Sequence, residues 1–205
     1  MKKDFNIFVE GIADVRFFKQ YISHLFGETI ADERLVILKG WDKLKTEASA
    51  LRMRSMSANG GVNLVIVDAD KDYQTRKNEI AQWGKTNNVN FELFLLPNNK
   101  DAGALEDLLE NIINPDNKPV MDCWQTYEGE LGKVRRPTKT PPTLTIPAKK
   151  TKIYAYLETL LGDSKSQKEL IKEANRNYEN TQHWDLDAEY LETLRKFLKK
   201  NLMEE

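Results

Sequence analysis

Val62-Asn63-Leu64-Val65-Ile66-Val67-Asp68-Ala69-Asp70 is the stretch that decides the fold. Its centre is a near-continuous apolar run, preceded by the breaker Asn59-Gly60-Gly61. Such a run fits a strand buried on both faces, the condition of a strand inside a parallel sheet. It ends in Asp68-Ala69-Asp70. In parallel α/β sheets ligands gather at the carboxyl ends of strands, so these aspartates stand where chemistry is expected.

The flanking sequence supports this. Phe5-Asn-Ile-Phe-Val9 reads as a strand, followed by Glu10 and Gly11. Residues 13–26 place Val15, Phe18, Ile22, Leu25 and Phe26 at helical spacing. Residues 35–38 read as a second strand ended by Gly40, and residues 41–57 as helix-forming. Downstream, residues 72–86 read as a helix and residues 91–96 as a fourth strand. Residues 97–103 form a loop in which Asn98 and Asn99 suit a turn. Residues 104–113 form a helix with Leu105, Leu108, Leu109 and Ile112 apolar. The order β-α-β-α-β-α-β-α predicts an α/β domain over residues 1–114: a four-stranded parallel sheet flanked by helices.

Beyond residue 114 the character changes. Asn114-Pro115 and Lys118-Pro119 suggest a break, and Pro137, Pro141, Pro142 and Pro147 follow with little periodicity. Residues 115–150 are read as a Pro-rich basic insertion or linker. Residues 151–205 are read as a mainly helical C-terminal extension, with helices over 153–161, 165–177 and 186–202. Trp184-Asp185-Leu186-Asp187 is expected to cap the last of these.

Among the 205 residues, 31 Lys+Arg balance 32 Asp+Glu, so no global field steers the protein toward nucleic acid. Any basic surface must be local. The single cysteine, Cys123, excludes an intramolecular disulfide and four-cysteine zinc patterns. The N-terminal MKKDFNIFVEG has only a broken apolar run, unlike a secretory signal. No stretch approaches the roughly 18 apolar residues of a membrane span. A cytoplasmic protein is expected, with no membrane partner.

Three acidic pieces carry the chemistry: Glu10-Gly11 with Asp14, then Asp68 and Asp70 with Asp72 beyond, then Glu106-Asp107 opening a late helix. Carboxylates at i and i+2 of an extended chain project to one side. Crowded carboxylates repel unless they are protonated or share a cation. Mg²⁺ prefers oxygen ligands, usually one or two carboxylates with waters and substrate phosphates. Two such ions can clamp the attacking and leaving oxygens of a phosphodiester. Each piece alone is weak: Asp68 and Asp70 could be a solvated strand end, and Glu106-Asp107 plain helix-cap charge.

Together, Val9-Glu10-Gly11 with Asp14 and Val67-Asp68-Ala69-Asp70 resemble the toprim signature. The resemblance covers residues 4–114. It implies a compact Rossmann-like fold binding Mg²⁺, or Mn²⁺, as one or two ions. The implied metal ligands are Glu10, Asp68, Asp70 and Asp72. The late glutamate resembles the OLD-type nuclease branch, which implies Glu106 as a further ligand. Leu96-Pro97-Asn98-Asn99-Lys100, Gly103 and His183-Trp184-Asp185 further resemble stand-alone bacterial toprim-like chains. OLD proteins carry an ATPase domain that this chain lacks, so by analogy a separately encoded ATPase is a possible partner.

Residues 133–152 contain Lys133, Arg135, Arg136, Lys139, Lys149, Lys150 and Lys152 and no acidic residue. They could form an arm over a phosphate backbone, or a solvated insertion. Lys149, Lys150 or Lys152 could instead fold back to the acidic edge. Lys100, between the fourth strand and Glu106, could assist catalysis at a phosphate or pair with Asp101 or Glu106. His24 and His183 read as structural, Cys123 as inert, and Trp124 and Tyr127 as packing residues rather than base-stacking platforms.

The expected function is Mg²⁺-dependent phosphodiester chemistry on DNA or RNA. Such a nuclease would serve repair, RNA processing or antiphage defence, with Glu10, Asp68, Asp70, Glu106 and Lys100 as catalytic residues. The alternative is a non-catalytic toprim-like nucleic-acid or protein binding module with a vestigial metal site. The plainest reading is an α/β domain with a fortuitous acidic edge.

Overall fold

The structure is a computed structural model that describes residues 4–136, 138–140 and 143–203. Pro137, Pro141 and Pro142, and the first three residues of the N-terminal stretch, lie outside the described residues.

Strand β1 (Phe5–Val9) leads through Glu10-Gly11 into α1 (Ile12–Phe26). Strand β2 (Leu35–Ile37) is followed by a 3-10 turn (Trp41–Lys45) and α2 (Glu47–Ala58). The single helix expected over 41–57 is divided at Thr46, whose Oγ1 accepts the Ser49 N–H at 3.2 Å and caps α2. Strand β3 (Val62–Asp68), α3 (Tyr73–Thr86), β4 (Glu92–Leu96) and α4 (Leu105–Glu110) complete the alternation.

The four strands lie in the order β2-β1-β3-β4, and every pairing is parallel. The expected α/β architecture is therefore present. The loops after Val9, Ile37, Asp68 and Leu96 all leave from one edge of the sheet. Side-chain alternation divides the core. Phe5, Ile7, Val9, Leu64, Ile66, Phe94 and Leu96 face one layer, containing α1 and α4. Phe8, Val65, Val67 and Leu95 face the other, against Ala50 and Met53 of α2 and Ile80 and Trp83 of α3. Cover on both faces explains why β3 reads as an unbroken apolar run.

After residue 114 the structure departs from the expected insertion. Helix α5 (Lys118–Lys133) occupies much of it. Pro119 stands in its first turn, where the missing N–H breaks no helical bond, so Lys118-Pro119 begins a helix instead of marking a break. None of the residues of α5 is fully buried, so packing imposes no strong periodic signal on its sequence.

Helices α6 (Lys149–Leu161), α7 (Lys165–Ile171) and α8 (Glu192–Leu202) follow. Both α7 and α8 are shorter than their expected ranges. The Trp184–Asp187 segment forms a turn, with Asp185 Oδ1 accepting the Asp187 N–H at 3.0 Å. A 3-10 turn (Glu189–Leu191) separates it from α8, so the expected cap is absent.

The C-terminal helices complete the first face of the sheet. Tyr156, Trp184, Leu194 and Leu198 belong to the same buried cluster as Phe17 and Phe94. The Phe94 and Phe197 rings are 5.2 Å apart, and Phe17 meets Tyr178 edge-on at 5.4 Å. Ile113 and Trp184 form an antiparallel backbone bridge. Burying a large apolar side chain contributes about 1.5–3 kcal/mol, so the core of residues 1–114 is incomplete without this layer. Among the described residues no helix is long and apolar enough to cross a membrane.

A chain ending at residue 150 tests the shared core. Circular dichroism during heating is expected to show loss of the cooperative transition. A sharp transition in the shortened chain would mean that residues 1–114 fold by themselves.

Candidate acidic site at the carboxyl edge of the sheet

Neighbouring strands deliver two carboxylates to one place. Glu10 follows the last residue of β1, and Asp68 is the last residue of β3. Glu10 Oε1 accepts the Asp68 N–H at 3.0 Å, and the Trp41 N–H also donates to this carboxylate. Asp68 Oδ1 accepts the N–H of Leu105, the first residue of α4, at 3.1 Å. Segments distant in sequence therefore interlock through these side chains.

A further carboxyl lies beneath them. Asp14 is 6% exposed, and its Oδ2 accepts the Gly11 N–H at 2.9 Å, closing the first turn of α1. Helix α4 opens the same way, with Asp107 Oδ2 accepting the Ala104 N–H at 2.8 Å. Asp14 belongs to the quoted motif but received no role from the sequence. Its signal was its place three residues after Gly11, where an acidic side chain reaches back to the helix start.

The electrostatics show how crowded the site is. Burial pushes Asp68 up from 3.8 to about 9, and the charges of Asp14, Glu10 and Glu106 add to it. Burial raises Asp14 to about 7, with Glu10 and Glu106 adding. Burial also raises Glu10; the Asp68 N–H opposes this, Asp70 adds to it, and Arg76 and the Trp41 N–H oppose it. The charge of half-buried Glu106 reaches Asp14 and Asp68, and Lys150 of α6 as well.

Asp70 and Asp72 are directed elsewhere. The expectation that Asp68 and Asp70 share one side requires extended chain, but Asp70 is left-handed, with φ 55°. Its N–H donates to the Gly103 carbonyl at 2.9 Å, and the Gly103 N–H returns a bond at 2.8 Å. Gly103 has φ 143°, and a Cβ there would stand 2.6 Å from Asp107 Oδ2, so this bridge requires glycine. The Asp70 carboxylate pairs with Arg76. Arg76 Cζ stands 4.1 Å from the centre of the Trp41 ring, and Lys45 Nζ 3.6 Å from it. Asp72 is exposed, and its Oδ1 accepts the Thr75 N–H at 2.6 Å as the cap of α3.

The donors that converge are carboxylate oxygens, the ligand type of a hard cation. Among the described residues, no group of three or more His, Cys, Asp or Glu side chains is placed to hold a metal ion.

Four of the seven cations of the expected basic arm are held in ion pairs. Lys149 pairs with Asp107, Lys152 with Glu110 at 2.8 Å, Lys150 with Glu173 at 2.5 Å and Lys133 with Glu130 at 2.7 Å. Arg135 donates to the Gly132 carbonyl at 2.8 Å, and Arg136 and Lys139 are exposed. Lys100 is exposed and makes no ion pair among the described residues, so the expected partners Asp101 and Glu106 do not hold it. His24 pairs with Asp187 at 2.9 Å. His183 is buried, its carbonyl accepting the Tyr156 hydroxyl at 2.6 Å, and burial lowers its pKa. Cys123 is exposed and free. Trp124 and Tyr127 lie together on α5, with ring centres 5.4 Å apart.

The raised carboxyls predict how stability varies with pH. Between 3.8 and about 9 the folded state holds a proton on Asp68 that the unfolded chain has released, and Asp14 does the same up to about 7. The folded state binds more protons, so stability from these groups falls as pH rises through that window. Asp68→Asn keeps an acceptor for the Leu105 N–H and removes the ionisation. In EDTA its melting temperature is expected to gain on wild type as pH rises, by about 2–4 °C for each kcal/mol relieved. Parallel melting profiles for the two proteins would refute this electrostatic account.

No curated protein and no solved structure matches the chain. One family does, over residues 4–203, and the match takes in the sheet, the acidic edge and the C-terminal helices alike. The chain belongs to the family described as Protein of unknown function (DUF3226).

Proposed function

We propose that the protein performs Mg²⁺-dependent phosphodiester chemistry on nucleic acid, as a toprim-like nuclease resembling the OLD type. The observation that carries this reading is the interlock of Glu10, Asp68 and the Leu105 N–H at the carboxyl edge, with Asp14 and Glu106 in electrostatic reach. Two converging carboxylates suit a cation whose remaining ligands are water and phosphate oxygens, the usual manner of Mg²⁺. When bound, such a cation lowers the pKa of water and offsets developing phosphate charge. Glu10 and Asp68 would hold it. The Asp68 N–H fixes the direction of Glu10, and the Leu105 N–H fixes that of Asp68. Asp14 stays on the Gly11 N–H and shapes the charge beneath them. Asp70, held by Arg76, acts at a distance by contributing charge.

The alternative is a binding module with a vestigial site. Among the described residues the carboxylates do not form a group of three ligands.

Labelled single- and double-stranded DNA and RNA, incubated with Mg²⁺, Mn²⁺ or EDTA, separate the two readings. Metal-dependent cutting is expected. Glu10→Gln and Asp68→Asn should each lower it at least about 100-fold, about 2.7 kcal/mol of barrier, while Asp70→Asn loses about tenfold or less. Cutting in EDTA, or undiminished cutting by the Glu10 and Asp68 variants, would sink the nuclease reading. Oligonucleotide binding without cutting would favour the binding module.

A further inference from the structure

The lysines at the carboxyl edge differ from the four lysines of the 133–152 segment that hold carboxylates. Lys39 lies in the loop after β2, Lys43 in the 3-10 turn that follows it, Lys71 in the loop after β3 and Lys100 in the loop after β4. All four are exposed, and none makes an ion pair among the described residues. In the 133–152 segment, by contrast, Lys133, Lys149, Lys150 and Lys152 each hold a carboxylate.

The sheet order arranges these lysines around the acidic centre. With strands in the order β2-β1-β3-β4, Lys39 and Lys43 stand at one end of the edge and Lys100 at the other. Glu10 and Asp68 end the two strands between them. Three interstrand spacings make this edge about 14 Å long. A second, independent feature lies on the same edge. The Arg76 side chain is nine-tenths buried beside Trp41, and its Nη1 has no hydrogen-bond partner among the described residues. Lys45 holds the same indole. A buried guanidinium nitrogen without an acceptor is costly, and it leaves Arg76, in the first turn of α3, a cation with unused hydrogen-bonding capacity beside the loop after β3.

We infer that a single strand of nucleic acid lies along the carboxyl edge, its phosphates on Lys39, Lys43, Lys71 and Lys100, and that the 133–152 segment is not its main contact. This rests on reading the edge as a nucleic-acid site. A strand with phosphates on both flanks brings one phosphodiester over Glu10 and Asp68, and the flanking lysines offset the repulsion between that phosphate and the carboxylates. Lys45 and Arg76 against the Trp41 ring add positive charge at the β2 end of this edge.

Fluorescence anisotropy with labelled single-stranded oligonucleotides of DNA and of RNA tests this without turnover. Binding is measured in EDTA, and again with Mg²⁺ while a gel reports strand integrity. For single strands each phosphate contact contributes about −0.7 to the slope of log K against log salt, so four contacts give about −3. Replacing Lys39, Lys43, Lys71 and Lys100 together by Gln should abolish most of that slope and weaken binding at low salt at least about tenfold. The variant's melting curve shows that these exposed changes leave the fold intact. A second variant, Arg135→Gln with Arg136→Gln and Lys139→Gln, should bind like wild type. The inference is overturned if the edge variant binds normally, if the loss appears in the second variant instead, if wild type binds neither oligonucleotide, or if polyglutamate displaces the strand as well as unlabelled oligonucleotide does. Binding by wild type that depends on the four lysines, with no cutting in Mg²⁺, would count against the nuclease reading alone.

Discussion

The hydrogen bond from the Asp68 N–H to Glu10 Oε1 is the contact on which the rest of the edge depends. It exists because β1 and β3 are parallel neighbours whose carboxyl ends lie side by side. Glu10 is thereby fixed by a backbone group, which no side-chain rotation can withdraw. Asp68 is fixed in turn by the first N–H of α4, so the start of that helix is set by the same network. Glu106 follows immediately and is carried to the site by helix geometry.

The network sits uneasily in its own field. Burial and mutual repulsion hold Asp68 and Asp14 far above the usual carboxylate range. Crowding of this kind costs stability whenever the carboxyls ionise. Two devices limit the tension. Asp70 is turned out of the cluster by its left-handed backbone and paired with Arg76, and Asp72 caps a helix in solvent.

The C-terminal helices belong to this arrangement. They close the face of the sheet that carries Ile7, Leu64 and Phe94. Through Lys149 on Asp107 and Lys152 on Glu110 they also grip α4, the helix that presents Leu105 and Glu106. Lysines that look like a nucleic-acid arm in the sequence thus serve to hold the site's third segment. Their carboxylate partners lie more than forty residues earlier, so inspection of the basic stretch alone could not reveal them.

The sequence by itself determined the four strands, their parallel order of connection and the presence of Glu10 and Asp68 at strand ends. Those features follow from local periodicity and from the two-sided burial that makes β3 apolar throughout. Helix α5 was not legible, because it buries no residue fully and so leaves no strong pattern. The role of Asp14 was only half legible, its spacing from Gly11 visible but its burial not. Only tertiary structure decided which acids stand together. Side-chain direction after a strand depends on the next backbone torsions, and the Asp70–Gly103 bridge that sets them joins residues far apart in the chain. Charge pairing is likewise a matter of distance in space, so only the fold could separate the lysines already bound to carboxylates from those left free at the edge.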